Sequence, residues 1–182
     1  MSGRIDELIR LYILVFSGCA AGVDIARARI PNVLTLPSIF VGVILALVAQ
    51  GLPGAGGSLL GILAGLLAYG WIYALGMLGA GDVKFLMALG ALGGWRYGLD
   101  VAVLSFLLGG AFSAGLLAVR GKLPGFLRRG YRFLLTRLVR GLEPEPFHID
   151  TSEKFPFGVA IAFAAIWSLH GRPLAELGWR LW

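Results

Sequence analysis

The sequence predicts an all-α, polytopic membrane protein: a bundle of six transmembrane helices, with a cytosolic amphipathic helix between the fifth and the sixth. Three observations predict it. The 182 residues are 58% hydrophobic and 14% charged, with a mean hydropathy of +0.82; soluble domains hold about 45–50% apolar and about 25% charged residues. A soluble fold of this length has too little interior to hide so much apolar surface. The apolar residues also gather in runs near the ~20 residues that a helix needs to cross a bilayer, and the basic residues collect on one set of connections. That bias accounts for the net charge of +6, so a nucleic-acid module, a soluble enzyme and a disordered tail are poor classes for this chain. The single cysteine, Cys19, leaves no disulfide framework and no Cys-only zinc site. Residues 1–182 read as one membrane-embedded domain.

Residues 11–23 form the first span, lengthened by Leu8 and Ile9, with Arg10 snorkelling to the interface. Residues 33–50 and 59–79 form the second and third. Residues 85–95 are short alone and are read as a fourth span that borrows Arg96–Gly98. Residues 101–119 are the fifth, and 155–170, opened by Phe155-Pro156-Phe157, are the sixth. Val15 to Cys19 looks loosely like a lipoprotein cleavage box. Asp6 and Glu7 stand where such a signal wants positive charge, and five more spans follow. Cys19 is therefore read as a small packing residue of helix 1. Gly61 with Gly65, and the row Ser105, Gly109, Ser113, are spaced to let helices approach closely.

Charge orients the bundle. With the N-terminus outside, the inner segments hold eleven of the 16 basic residues and the outer segments five; inverting the chain reverses the bias, so the N-terminus is expected outside. The connection 120–154 then faces the cytosol. Its first half, 121–141, reads as an amphipathic helix with Leu127, Tyr131, Leu134, Leu135 and Leu138 on one face and Arg128, Arg129, Arg132, Arg137 and Arg140 on the rest. Such a helix lies against anionic headgroups. Its second half, from Glu143 to Glu153, is acidic and broken by proline, and reads as a flexible linker.

The informative charges are those at span borders, because an acid at a bilayer centre costs roughly 2.5–3.5 kcal/mol. Asp24 ends helix 1 and Asp82 ends Gly79-Ala80-Gly81-Asp82, before helix 4. On this topology both meet the same, cytosolic surface. Each has a plain structural alternative. Asp24 and Arg27 are spaced to form a helix ion pair, and Asp82 is placed to cap helix 4. Neither alternative accounts for Gly79 and Gly81, which permit unusual backbone angles and close approach by another chain, such as an extended scissile peptide. Two carboxylates brought close share one proton. The protonated member can polarise a carbonyl while the ionised one takes a proton from water. His148 and His170 are placed elsewhere, and no His–carboxylate metal cluster is apparent.

At these residues the sequence resembles the type IV prepilin (leader) peptidases, intramembrane aspartyl proteases of the GxGD type. Asp24-Ile-Ala-Arg-Ala-Arg-Ile-Pro31-Asn32, followed by Leu34 and Thr35, resembles the family's first motif. Gly79-Ala-Gly81-Asp82-Val-Lys84-Phe85 resembles the second, and Phe155-Pro156-Phe157-Gly158 the Pro-Phe/Tyr-Gly motif that opens the last helix. The resemblance implies that Asp24 and Asp82 are the catalytic pair. It implies hydrolysis without a metal or other cofactor, at the cytoplasmic face of the bacterial inner membrane, removing a short basic leader from a pilin-like precursor. Pro31 and Asn32 are expected to shape the turn into helix 2, Lys84 to anchor the inner surface or bias the pair, and Pro156 and Gly158 to set the start of helix 6. Long members carry a cytosolic insertion with paired CxxC motifs and N-methylate the trimmed pilin. This chain has one cysteine and no such insertion; it resembles the short branch associated with tight-adherence pili, and the resemblance does not extend to methyl transfer. The main rival reading is a small proton- or ion-coupled transporter, which favours acids near the midplane and related half-repeats. Here the acids lie at one edge, and no repeat is apparent. A third is a scaffold that binds lipid through 121–141.

Overall fold

The computed structural model describes residues 2–121, isolated positions between 124 and 135, and residues 157–171. It is all-α, with α1 (Ser2–Arg27), α2 (Asn32–Ala74), α3 (Ala80–Val119) and α4 (Phe157–His170). Three helices are long and apolar enough to cross a membrane, Arg4–Arg27, Asn32–Ala74 and Ala80–Val119, and α4 is a shorter apolar helix. The expected amphipathic helix at 121–141 lies outside the described residues except for isolated positions, and the linker beyond it, Phe155 and Pro156 lie outside them entirely.

α1 buries one stripe at helical spacing: Ile13, Phe16, Ser17, Ala20 and Asp24. The opposite face, with Leu11, Leu14 and Val15, is exposed, as suits a helix whose outward solvent is lipid. Cys19 falls on that outward face. The expectation that it packs within the bundle is corrected, because the buried stripe at 13, 16, 17, 20 and 24 turns position 19 away. After Arg27 the chain leaves the helix through Ala28, whose φ of 49° is left-handed; its N–H donates to the Asp24 carbonyl at 2.7 Å. Pro31, at φ −75° and ψ 148°, then leads into α2, its ring holding φ at the value the next helix needs.

α2 and α3 are not straight rods. Each is interrupted by one glycine with non-helical angles, Gly51 (φ 68°, ψ −151°) and Gly94 (φ 82°, ψ 175°), in a region that a side chain rarely occupies. At both the chain doubles back. A Cβ on Gly54 would strike Ala46 and Gln50, and one on Gly98 would lie 3.1 Å from the Gly90 Cα. In a straight helix residues eight apart are separated by about 12 Å. Each long helix is therefore a hairpin of two arms, 32–50 with 52–74 and 80–93 with 95–119. The expected third span, 59–79, is shifted to 52–74, and 75–79 becomes the connection. Gly51 supplies the reversal, and Pro53 starts the returning arm, where its missing N–H has no partner to lose.

The arms pack backbone to backbone, as the spacing of small residues predicts. Gly61 rests on the Gly90 carbonyl, and a Cβ on Gly65 would lie 2.9 Å from the Met87 nitrogen. The Ser58 hydroxyl donates to the Ala91 carbonyl at 2.7 Å. Tyr69, Phe85, Leu86, Leu89, Val101 and Ile161 fill the remaining core. This threading gathers the α1–α2 loop, the α2–α3 loop and the start of α4 at one end, and sets Gly51, Gly94 and the end of α4 at the other.

Candidate functional site

Asp24 is 5% exposed, on the buried stripe of α1. Its Oδ2 accepts the Gly158 N–H at 2.8 Å. Gly158 is the second residue of α4, where backbone N–H groups have no intrahelical acceptor, so a carboxylate and an orphan donor satisfy one another. The approach is too close for any side chain: a Cβ on Gly158 would sit 2.7 Å from Asp24 Oδ2 and 3.0 Å from Ile30 Cδ1. Arg27 is exposed, so the alternative in which Asp24 forms a surface ion pair with it gives way to a carboxylate turned inward to α4.

Asp82 is half-buried and lies in the first turn of α3. The N-cap is Gly79, at φ −78° and ψ 145°, so Asp82 is not the cap that its place before Val83 suggests. The helix begins at Ala80, although Gly81 in its first turn is a poor helix former. A Cβ on Gly79 would be 3.1 Å from Asp82 Oδ2, and one on Gly81 would be 3.1 Å from the Ile30 carbonyl oxygen. Ile30 is thus wedged between Gly81 on one side and Gly158 on the other. It forms a common wall for the two aspartate-bearing segments.

Lys84 joins the same two segments through a different bond: its Nζ donates to Asn32 Oδ1 at 2.8 Å. Lys84 is therefore a tie between the α1–α2 loop and α3. Pro31 and Asn32 do open α2, and Asn32 also spends its side chain on that tie. Of the residues singled out from the sequence, Asp24, Pro31, Asn32, Gly79, Gly81, Asp82, Lys84 and Gly158 come to one end of the bundle. Pro156 lies outside the described residues.

Two residues were not singled out from the sequence. Tyr69, 2% exposed, lies within electrostatic reach of Asp82. Its ring centroid is 5.8 Å from that of Phe157, and its hydroxyl reaches Ser105 Oγ at 2.6 Å and the Ala102 carbonyl at 3.1 Å. A phenol inside an apolar run needs a buried partner, and Ser105 supplies it; that need was the available signal. Asp100, also 5% exposed, borders a span at the opposite end, where a cavity of about 330 Å³ is lined by Trp95, Arg96, Tyr97 and Ser168. Among the described residues no three His, Cys, Asp or Glu side chains group together as metal ligands would.

This end of the helical bundle thus carries two carboxylates, Asp24 buried and Asp82 half-buried. Each stands at the N-terminal turn of a helix, where orphan N–H groups favour negative charge. Comparison with known families gives one match over more than half of the chain: the type IV leader peptidase family, over residues 11–114. The chain belongs to the type IV leader peptidase family. It is similar to two proteins of Aeromonas salmonicida, one of them from strain A449, each described as a prepilin leader peptidase/N-methyltransferase, at 33% identity over 126 residues. A protein of Aeromonas hydrophila with the same description is 32% identical over 126 residues. The similarity covers 65% of this chain but only 42% of each relative, so the chain spans less than half the length of the relatives it matches. No solved structure matches. Within this leader peptidase family member, the matched stretch contains Asp24, Asn32, Asp82 and Lys84. Gly158 lies beyond it and joins them only through the fold.

Proposed function

We propose that this chain is an aspartic endopeptidase that removes the short basic leader from type IV pilin-like precursors, with Asp24 and Asp82 as its catalytic pair. One observation carries the reading: the Gly158 N–H on Asp24, with Ile30 wedged between Gly158 and Gly81, draws the Asp24, Asp82 and Phe157-Gly158 segments to one end of the bundle. In the reaction one carboxyl is protonated and the other ionised. The ionised carboxylate takes a proton from water as its oxygen attacks the scissile carbonyl, and the protonated carboxyl donates to that carbonyl's oxygen. Collapse of the tetrahedral intermediate returns this proton, breaks the C–N bond and protonates the leaving amine, which restores the shared proton. Acid–base catalysis of this kind contributes about 10²–10⁴-fold. Gly79 leaves room for an extended peptide beside Asp82, while the space at Gly81 is taken by Ile30. Incubating the purified chain with a pilin-like precursor is expected to release the leader, as read by mass spectrometry, and a chelator is expected to leave the rate unchanged. Loss of trimming in chelator, restored by zinc, would contradict the metal-free mechanism.

The same reading has six spans: α1, the four arms of α2 and α3, and α4. The N-terminus lies outside, and the end with the aspartates faces the cytosol of a bacterial inner membrane. The 120–154 connection faces the cytosol too, its basic helix at 121–141 resting on anionic headgroups. The support is the eleven-to-five asymmetry of basic residues. Single cysteines at positions 29 and 78, in a Cys19→Ala background, are expected to react with an impermeant thiol reagent only from the cytosolic side. Labelling of the two from opposite sides would contradict a shared site.

A further inference from the structure

The ring of Phe157, the first residue of α4, is held from two sides. On one side is Gly109 in the returning arm of α3, where a Cβ would collide with the ring edge at Cε2 and Cδ2. On the other is Tyr69, its ring 5.8 Å away and inclined by 61°, an edge-to-face arrangement. Tyr69 is fixed in turn, since its hydroxyl bonds to Ser105 and to the Ala102 carbonyl. Ser105 and Gly109 are one helical turn apart on the same arm, so both walls of the slot are referred to one rigid surface. Ordinary helix packing tolerates alanine at such a position. At 109 the three atoms nearest to such a Cβ all belong to the ring of Phe157, so an added methyl would have to displace that ring.

Phe157 is also covalently next to the donor that meets Asp24. The Gly158 N–H reaches Asp24 Oδ2 at 2.8 Å, and a shift of the Phe157 backbone by about 1 Å would carry that contact beyond hydrogen-bonding range. We infer that the slot between Gly109 and Tyr69 is a positioning device for the active site: by holding the Phe157 ring it sets the start of α4 so that the Gly158 N–H orients the Asp24 carboxylate. Tyr69, Gly109 and Phe157 are positioning residues that act through the Gly158 N–H. The inference rests on the reading of Asp24 and Asp82 as the catalytic pair. It adds that the last helix fixes the geometry of that pair through a packing contact with α2 and α3.

The test is a kinetic cycle on the full chain in detergent with a pilin-like precursor. Gly109→Ala pushes on the ring and is expected to lower kcat by about tenfold or more, the range that a misplacement near 1 Å produces, with KM unchanged. Phe157→Leu loosens the slot and is expected to lower kcat as well. The double variant, in which the smaller Leu leaves room for the new methyl, is expected to recover kcat above both single variants, the coupling shown by residues in contact. A purely structural role would reduce the amount of folded protein and its Tm, leave the kcat of the folded fraction unchanged, and give additive effects. Wild-type kcat in Gly109→Ala, or a double variant no better than Gly109→Ala, overturns the inference. Should Gly109→Ala fail to insert, unchanged kcat in Phe157→Leu overturns it. Asp24→Asn is measured alongside. If it cleaves normally, the catalytic reading falls and the inference with it; if it is inactive while Gly109→Ala is normal, the slot alone is refuted.

Discussion

On the proposed reading, Asp24→Asn and Asp82→Asn are each expected to lower leader cleavage by about 10²–10⁴-fold, the contribution of a positioned acid–base group, while the chain still inserts and folds. Asparagine keeps the size of aspartate and an oxygen that can accept the Gly158 N–H, now seen at 2.8 Å from Asp24. At position 82 it keeps a polar group in the first turn of α3. What it removes is proton exchange, the step by which the pair would activate water. If the pair acts as one unit, as proposed, the double variant is expected to be hardly slower than either single one. The measurement is the rate of precursor trimming at matched amounts of membrane-inserted protein. Near-normal trimming by either variant would mean that the aspartates are structural, their carboxylates serving only α4 and α3.

Gly158→Ala is expected to have the second largest effect, and by a different route. A Cβ at 158 would lie 2.7 Å from Asp24 Oδ2 and 3.0 Å from its Cγ, so the carboxylate must swing away or α4 must withdraw. Either movement breaks the bond to the backbone N–H and leaves a buried acceptor unsatisfied, at a cost of about 1–3 kcal/mol. The expected outcome is a Tm lower by several degrees and a fall in kcat of at least about tenfold, since 1.4 kcal/mol corresponds to a factor of ten. Gly18→Ala is the matched control, because nothing lies within 4 Å of a Cβ there, and it is expected to behave as wild type. Gly79→Ala should fall between them, as its Cβ would meet only the movable end of Asp82, at 3.1 Å. Equal behaviour of Gly158→Ala and Gly18→Ala would show that the α4 contact is unimportant to both stability and catalysis.

Much of the candidate site was legible because its chemistry is local. Asp24 and Asp82 stand out as acids at the borders of apolar runs, and the spacing of Gly61 and Gly65 announces close helix contact before any partner is known. Pro31 marks the start of α2 by its fixed φ. Less legible were the places where a distant segment decides the environment. Cys19 lies in an apolar run like its neighbours, and only the direction of α1's buried stripe turns it outward. Tyr69 reads as one more apolar residue of a span until its hydroxyl is seen to hydrogen-bond with Ser105 and the Ala102 carbonyl, on another helix. Asp82 reads as a cap until the backbone at Gly79 takes that place.

The amino-acid sequence by itself determined that this protein is helical and suited to a membrane, and which family it belongs to. The first two follow from composition and from the spacing of apolar residues along 3.6-residue turns. The reversal at Gly94 falls inside the stretch 85–98 that the sequence reads as one span, and only the structure shows it. Only the tertiary structure decided that the Gly158 N–H, 134 positions from Asp24, is the group that meets its carboxylate, that Ile30 is wedged between Gly81 and Gly158, and that Lys84 ties down Asn32. Such contacts depend on how glycine-lined arms slide past one another until backbone meets backbone. That register is set by the summed fit of many side chains across three helices, and no local run of residues contains it.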